Sequence, residues 1–338
     1  MKAVWNKIKK ADGGMLLLIL IIYVAVVSLI GPVINHNALA VNTFLSWDIL
    51  VMTIRQNAAY GIIACGLTYV IISGNIDLSI GSIYTLCACF CAKNLQYGLL
   101  PAIVMPLLVG LACGLINGGL IGGLKLNSFI VTIATMSVFA SAAIIYTSSG
   151  IITPKNESAA VMAAFQTVGQ GKLFGFLPMP IFIFIIVALI TGAVLRYTTA
   201  GTKLYFVGSS PISARYSGIH TRLTVAASYG VCGLLTGLAS LVTVSRIMSA
   251  QSQMGMGIEL DIILAVVLGG ASILGGKGTV FGSVIGILFI GFLKNGFTFM
   301  GIDNVYTQKI ISGIILVAAL IFDVMKERGA LRWKKKGT

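Results

Sequence analysis

Few side chains in this 338-residue chain are suited to chemistry, and most of those stand in apolar surroundings. Arg55, Gln56 and Asn57 are consecutive inside one apolar run. Asn75 and Asp77 lie in SGNIDLSIGS, from Ser73 to Ser82. Asn117-Gly118 interrupts another run, and GIELDIIL carries Glu259 and Asp261. Groups of these types can bind a proton or a cation, line a polar path, or hydrogen-bond one helix to another. A carboxylate such as Asp77 or Asp261 can also cap the free N–H groups at a helix start. Residue type alone leaves these uses open.

Other chemistries are excluded more directly. His36 and His220 fall in different loops, and Cys87, Cys89 and Cys91 at two-residue spacing cannot share one helical face, so no catalytic pair or metal cluster is implied. The stretch GGASILGGKGTVFG, from Gly269 to Gly282, is rich enough in glycine to suggest a phosphate loop. Such a loop needs a glycine five residues before its Gly-Lys and a Ser or Thr after it, whose hydroxyl holds magnesium. Here Ala271 stands at the first position and Gly278 at the second. No nucleotide or other cofactor is expected in this chain.

The elements that position these residues are set by composition. Hydrophobic residues make up 57% and charged residues 9%, against about 25% charged in ordinary soluble domains. Lipid is therefore the solvent for most of the surface. With about 20 apolar residues per crossing, the chain predicts an all-α, polytopic fold of about ten transmembrane helices near 15–34, 48–72, 77–93, 99–123, 128–148, 180–197, 223–245, 259–275, 280–300 and 307–325. The 40 glycines let helices approach closely or break. No soluble domain fits between the runs, so residues 1–338 read as one transmembrane domain. Ala38-Leu39-Ala40 imitates a cleavage site, but the apolar run from Met15 to Ile34 is longer than a signal peptide's, and it reads as a retained helix.

The net charge of +14 sits in the connections and calls for no nucleic-acid partner. With a cytoplasmic N-terminus, sixteen lysines and arginines fall inside, among them Lys125, Arg196, Lys203, Arg215, Arg222 and Lys277, while six fall outside. That excess places both termini in the cytoplasm. A short segment 1–14, a loop 198–222 and a basic tail 326–338 then face inward, and 149–179 is the longest external connection. Asp77 and Asp261 stand in comparable glycine-preceded contexts, and Asn117-Gly118 recurs as Asn295-Gly296. Spans two to five would thus match spans seven to ten as an inverted repeat, a common way to build a transporter.

SGNIDLSIGS, NSFIVTIATMS, SPISARYSGI, ELDIILAVVLGGASILGGKGTVFGSVIG and GFLKNG are similar to segments of the membrane subunits of bacterial ATP-binding-cassette importers of the ribose, xylose and galactose type. The resemblance runs from the second expected span to the last, and Glu259–Gly286 is its most specific part. It implies a permease of the bacterial inner membrane that works as a dimer, with an identical or a sister subunit. An extracytoplasmic binding protein would deliver ligand. A cytoplasmic ATPase, often with two fused cassettes, would hold ATP and magnesium and drive alternating access.

The resemblance also gives a role to the loop after the sixth span. The family pattern N-P-E-A-A-R-L-S-G-I, a short coupling helix seated in the ATPase, falls on Ser210, Pro211, Ile212, Ser213, Ala214, Arg215, Tyr216, Ser217, Gly218 and Ile219. Ser210 suits a cap, Pro211 the first turn and Gly218 the end. Docking through Ala214, Tyr216 and Ile219 is expected. Ile212 and Ser213 depart from the pattern's Glu and Ala, which removes a carboxylate that could pair with the ATPase. Gln56, Asn57, Asn75, Asp77 and Asn117 are the candidates for the path at the dimer interface. Importers of nucleosides, autoinducers and branched-chain amino acids share parts of the pattern. A reading of another class is an ion-coupled secondary transporter that uses Asp77 and Asp261.

Overall fold

The structure, a computed structural model, describes residues 14–34, 44, 46–148, 150–302, 304, 306–311, 313–314 and 317. His36, the Ala38–Ala40 stretch, nearly all of segment 1–14, the basic tail and most of the expected span 307–325 lie outside them.

The described residues are almost entirely helical. Helices α1 (Gly14–Ile34), α2 (Trp47–Ile72), α3 (Ile80–Asn94), α4 (Leu99–Gly118) and α5 (Ser128–Thr147) come first. A π-helical turn, Gly119–Gly123, continues α4. Then follow α6 (Ala159–Gln170), α7 (Met179–Tyr197), α8 (Thr199–Ser209), α9 (Pro211–Tyr216), α10 (Thr221–Ile247), α11 (Ile258–Leu268) and α12 (Val280–Phe299). Two small antiparallel ladders tie the connections. β1 (Ile151–Ile152) pairs with β4 (Ala250–Gln251), and β2 (Lys172–Leu173) pairs with β3 (Leu177–Pro178).

Local chemistry sets several of these boundaries. Asn127 Oδ1 accepts from the Phe129 and Ile130 N–H groups at the start of α5, Ser46 Oγ accepts from Ile49 N at α2, and Thr279 Oγ1 accepts from Gly282 N at α12. Each satisfies a donor that a helix start leaves free. Five of the described helical stretches are long and apolar enough to cross a membrane: Leu99–Gly123, Ser128–Thr147, Met179–Tyr197, Thr221–Ile247 and Val280–Phe299. Two expected spans are shorter than drawn. The polar SGNIDLS break delays α3 until Ile80, leaving 15 residues, and Gly269-Gly270 ends α11 after 11 residues. The connection 149–179, expected to be external, holds α6, which no apolar run announced.

Helices α2, α10 and α12 form the buried centre, and α4, α5 and α7 present much of their surface outward. The most extensive contact joins α4 to α10. A Cβ added at Gly110 would strike the Gly233 carbonyl, at Gly114 the Tyr229 carbonyl, and at Gly237 the Pro106 carbonyl. Small residues four apart on both helices let backbone meet backbone, the packing by which helices associate in lipid. All six cysteines are buried free thiols within this packing.

Candidate functional site

The expected path residues divide between two places. Gln56 is exposed and Asn57 half-buried near the start of α2, where Asn57 Nδ2 donates to the Thr53 carbonyl at 2.9 Å. Asn295 Nδ2 donates to Thr53 Oγ1 at 2.6 Å beside them. Asn75, Asp77 and Asn117 gather near the other end of α2, about 22 Å along the axis at 1.5 Å per residue. One ligand-sized site cannot include both groups.

The second group is a connected network. Asp77 Oδ1 accepts from Ser79 N at 2.8 Å and from Ser79 Oγ at 2.6 Å, and Asn117 Nδ2 donates to that same Ser79 Oγ at 2.8 Å. Asp77 and Asn117 are buried inside the subunit. Asp77 Oδ2 and Asn117 Oδ1 have no hydrogen-bond partner among the described residues. Asn75 is half-buried and donates to the Ser73 carbonyl and hydroxyl. The link folds back into the bundle, where the Tyr229 hydroxyl donates to the Ile76 carbonyl at 2.9 Å. Asp77 thus holds the N–H just ahead of α3, and Asn117 ties that turn to α4.

This arrangement carries a direct expectation. Asp77→Ala should destabilise the permease by about 1–3 kcal/mol, because it strands the Ser79 N–H in a buried site. Asp77→Asn keeps an acceptor at Oδ1 and should lose much less. Thermal unfolding of the purified permease in detergent separates the two; equal losses would mean that the negative charge, rather than the acceptor, is what the fold needs.

Asp261, at the first turn of α11, does not act as a cap. It forms an ion pair with Lys294 of α12. Opposite charges in two apolar runs were a legible sign of that pairing. Ser79 and Tyr229 carried no such sign, since hydroxyls are common throughout the chain.

The polar loop after α7 builds a compact, exposed element. α9 is a helix of six residues, capped by Ser210, whose hydroxyl accepts from Ser213 N at 3.2 Å, with Pro211 in its first turn. Gly218 follows with φ +77°, and Ile219 N closes on the Ala214 carbonyl at 3.0 Å. Both ends match the expected caps. The expected docking face needs correction. Ala214 is 0% exposed and Ile219 packs on the subunit's core, so these two seat the helix on its own subunit. Tyr216, 90% exposed, and Ile212, 72% exposed, are presented outward with Ser213, Arg215 and Ser217.

The base beneath α9 is built largely of backbone. At the end of α8, Gly208 lies against the Ile72 carbonyl and against Gly276. Gly276 N donates to the Ile72 carbonyl at 2.8 Å, and the Tyr205 hydroxyl donates to the Gly278 carbonyl at 2.6 Å. The glycine-rich stretch Gly269–Gly282 therefore includes a turn that joins α8 to α2 and α12. Among the described residues, no group of three or more His, Cys, Asp or Glu is placed to hold a metal.

The comparisons with known proteins agree on one class. The ribose import permease protein RbsC of Haemophilus influenzae is 35% identical over 306 residues, covering 90% of each chain. The RbsC protein of Bacillus subtilis is 36% identical over 309 residues, 91% of each chain. The autoinducer 2 import system permease protein LsrD of Escherichia coli is 36% identical over 279 residues, 82% of this chain and 84% of its own. No solved structure matches the chain. Residues 49–320 match the family described as the permease component of branched-chain amino acid transport systems, and the chain belongs to that family of membrane permeases.

Proposed function

We propose that this permease imports a monosaccharide across the bacterial inner membrane, as a dimer driven by a separate cytoplasmic ATPase that docks on α9. The observation that carries the coupling role is the geometry of that helix: capped at both ends, seated by Ala214, and presenting Ile212, Arg215 and Tyr216 to solvent. A short helix that presents two large apolar-bodied side chains beside a cation fits a groove on a partner protein. The inside-positive charge pattern supports a cytoplasmic position for α9 and for both termini. The sugar assignment rests on the relatives named for ribose import. The LsrD relative, similarly identical, supports autoinducer 2 as a second reading.

Alternating access follows from the proposed docking. ATP binding draws the two cassettes together, α9 moves with them, and the junction of Gly208, Ile72 and Gly276 passes that movement to α2 and α12. Gln56, a polar residue exposed on a membrane helix, faces the second subunit or the path between subunits, because polar groups at membrane depth need protein or water partners. Asp77 and Asn117, buried within one subunit, then serve its architecture.

The test is reconstitution in liposomes. The purified chain alone should hydrolyse no ATP, and with the cognate ATPase and binding protein, ribose should stimulate hydrolysis and uptake. Stimulation by autoinducer 2 in place of ribose selects the second reading. Uptake by the lone chain under a proton or sodium gradient would overturn the proposal.

A further inference from the structure

A groove with a volume of about 1090 Å³ opens between α7, α8 and the start of α12. Leu189, Gly192 and Ala193 of α7, Phe206 of α8, and Phe281 and Val284 of α12 give it an apolar lining. Leu189, Phe206 and Phe281 are exposed along it, so it opens on the outer surface of the subunit, beside a helix long and apolar enough to cross a membrane. Its reach along α7, from Phe184 to Tyr197, is about 20 Å at 1.5 Å per residue. One leaflet offers about 15 Å of hydrocarbon, half of a bilayer core of about 30 Å.

The groove is polar at one end only. Arg196, in the last turn of α7, lines that end and is exposed, with its guanidinium 5.5 Å from the centre of the Tyr197 ring. Thr202 and Thr279 stand at the same end, but the Thr202 hydroxyl donates to the Thr198 carbonyl and Thr279 Oγ1 accepts from Gly282 N. Among the described residues no carboxylate pairs with Arg196. An acyl-length apolar channel that ends at one cation is complementary to an amphiphile with an anionic head.

We propose that this groove is a binding site for one anionic phospholipid, with its phosphate on Arg196 and an acyl chain lying along Leu189, Gly192 and Phe281. Basic pockets between membrane helices on the cytoplasmic side bind anionic headgroups in this way. The site touches Tyr205 and Thr279, and Tyr205 is hydrogen-bonded to Gly278, so the lipid abuts the junction beneath α9. The orientation proposed above decides only that the lipid comes from the cytoplasmic leaflet; the groove and its cation do not depend on it.

Native mass spectrometry of the purified permease, titrated in detergent with phosphatidylglycerol or phosphatidylcholine, tests the site without ATPase or transport. The unmodified chain should retain phosphatidylglycerol over phosphatidylcholine. Arg196→Gln should reduce that preference about five-fold, the share of one basic side chain at an anionic surface. Lys203→Gln, an exposed cation of α8 outside the groove lining, should leave it unchanged. Gly192→Leu should fill the channel and weaken both lipids, and a Cβ there meets only Val280 at an ordinary 3.8 Å, so the subunit should still elute as folded protein. An unchanged preference in Arg196→Gln, an equal fall in Lys203→Gln, or undiminished lipid binding in Gly192→Leu would overturn the site. So would conversion of a dimer to monomers by Gly192→Leu, since the groove would then be a contact between copies.

Discussion

Gly208→Val should lower the thermal unfolding temperature of the purified permease more than any other single change considered for this chain. An added Cβ at Gly208 would press on the Ile72 carbonyl and sit 2.6 Å from Gly276 N, and the hydrogen bond between those two groups lies directly under it. All the colliding atoms are backbone, so no side chain can rotate aside. Overpacking costs about 1–3 kcal/mol, and loss of a buried backbone hydrogen bond adds about 1 kcal/mol or more. Gly208→Ala should already show most of the loss. Gly119→Ala is the control, because nothing lies within 4 Å of a Cβ there. If Gly208→Ala is no worse than Gly119→Ala, the three elements do not meet as described.

Tyr216→Ala and Ile212→Asp should each weaken binding of the cognate ATPase about thirty-fold or more, the effect of an exposed anchor worth about 2 kcal/mol in a protein interface. Neither should alter the stability of the isolated permease, since both side chains project from α9 into solvent. Ala214→Asp should behave in the opposite way. It places a carboxylate in a fully buried site and should unseat α9 and destabilise the permease before any partner is added. Titration of the ATPase onto immobilised permease, with unfolding measured alongside, distinguishes the two patterns. Unmodified affinity in both Tyr216→Ala and Ile212→Asp would remove α9 as the docking element.

That reversal at Ala214 illustrates what the sequence can express. Caps are local, so Ser210 and Gly218 could be assigned from a few neighbouring residues, and α2, α5 and α7 begin within a residue or two of where their apolar runs begin. The family resemblance supplied the alignment of Ser210–Ile219, but an alignment has no inside or outside. Which side of a six-residue helix faces its own subunit depends on where α8 and α10 carry it. The same limit applies to Asp77. Its contact with Ser79 spans two residues, whereas the contact of Asn117 with that Ser79 hydroxyl spans 38 and needs α3 and α4 to have packed. The lengths of α3 and α11 were misjudged because hydropathy counts apolar residues and does not register where the backbone stops being helical. α6 escaped notice for the converse reason: it is too short and too mixed in character for a membrane run.

The glycine contact between α4 and α10 has a mechanical meaning. Where Gly110, Gly114, Gly233 and Gly237 bring two main chains together, there are no long side chains to slide or change rotamer, so the pair has little freedom to shear. The two helices should travel as one strut through the transport cycle. Flexure is then confined to joints with adaptable filling, and the junction of Gly208, Ile72 and Gly276, which is also backbone against backbone, should be stiff for the same reason. A push on α9 would then pass into α2 as a displacement of whole helices, with little of it absorbed on the way.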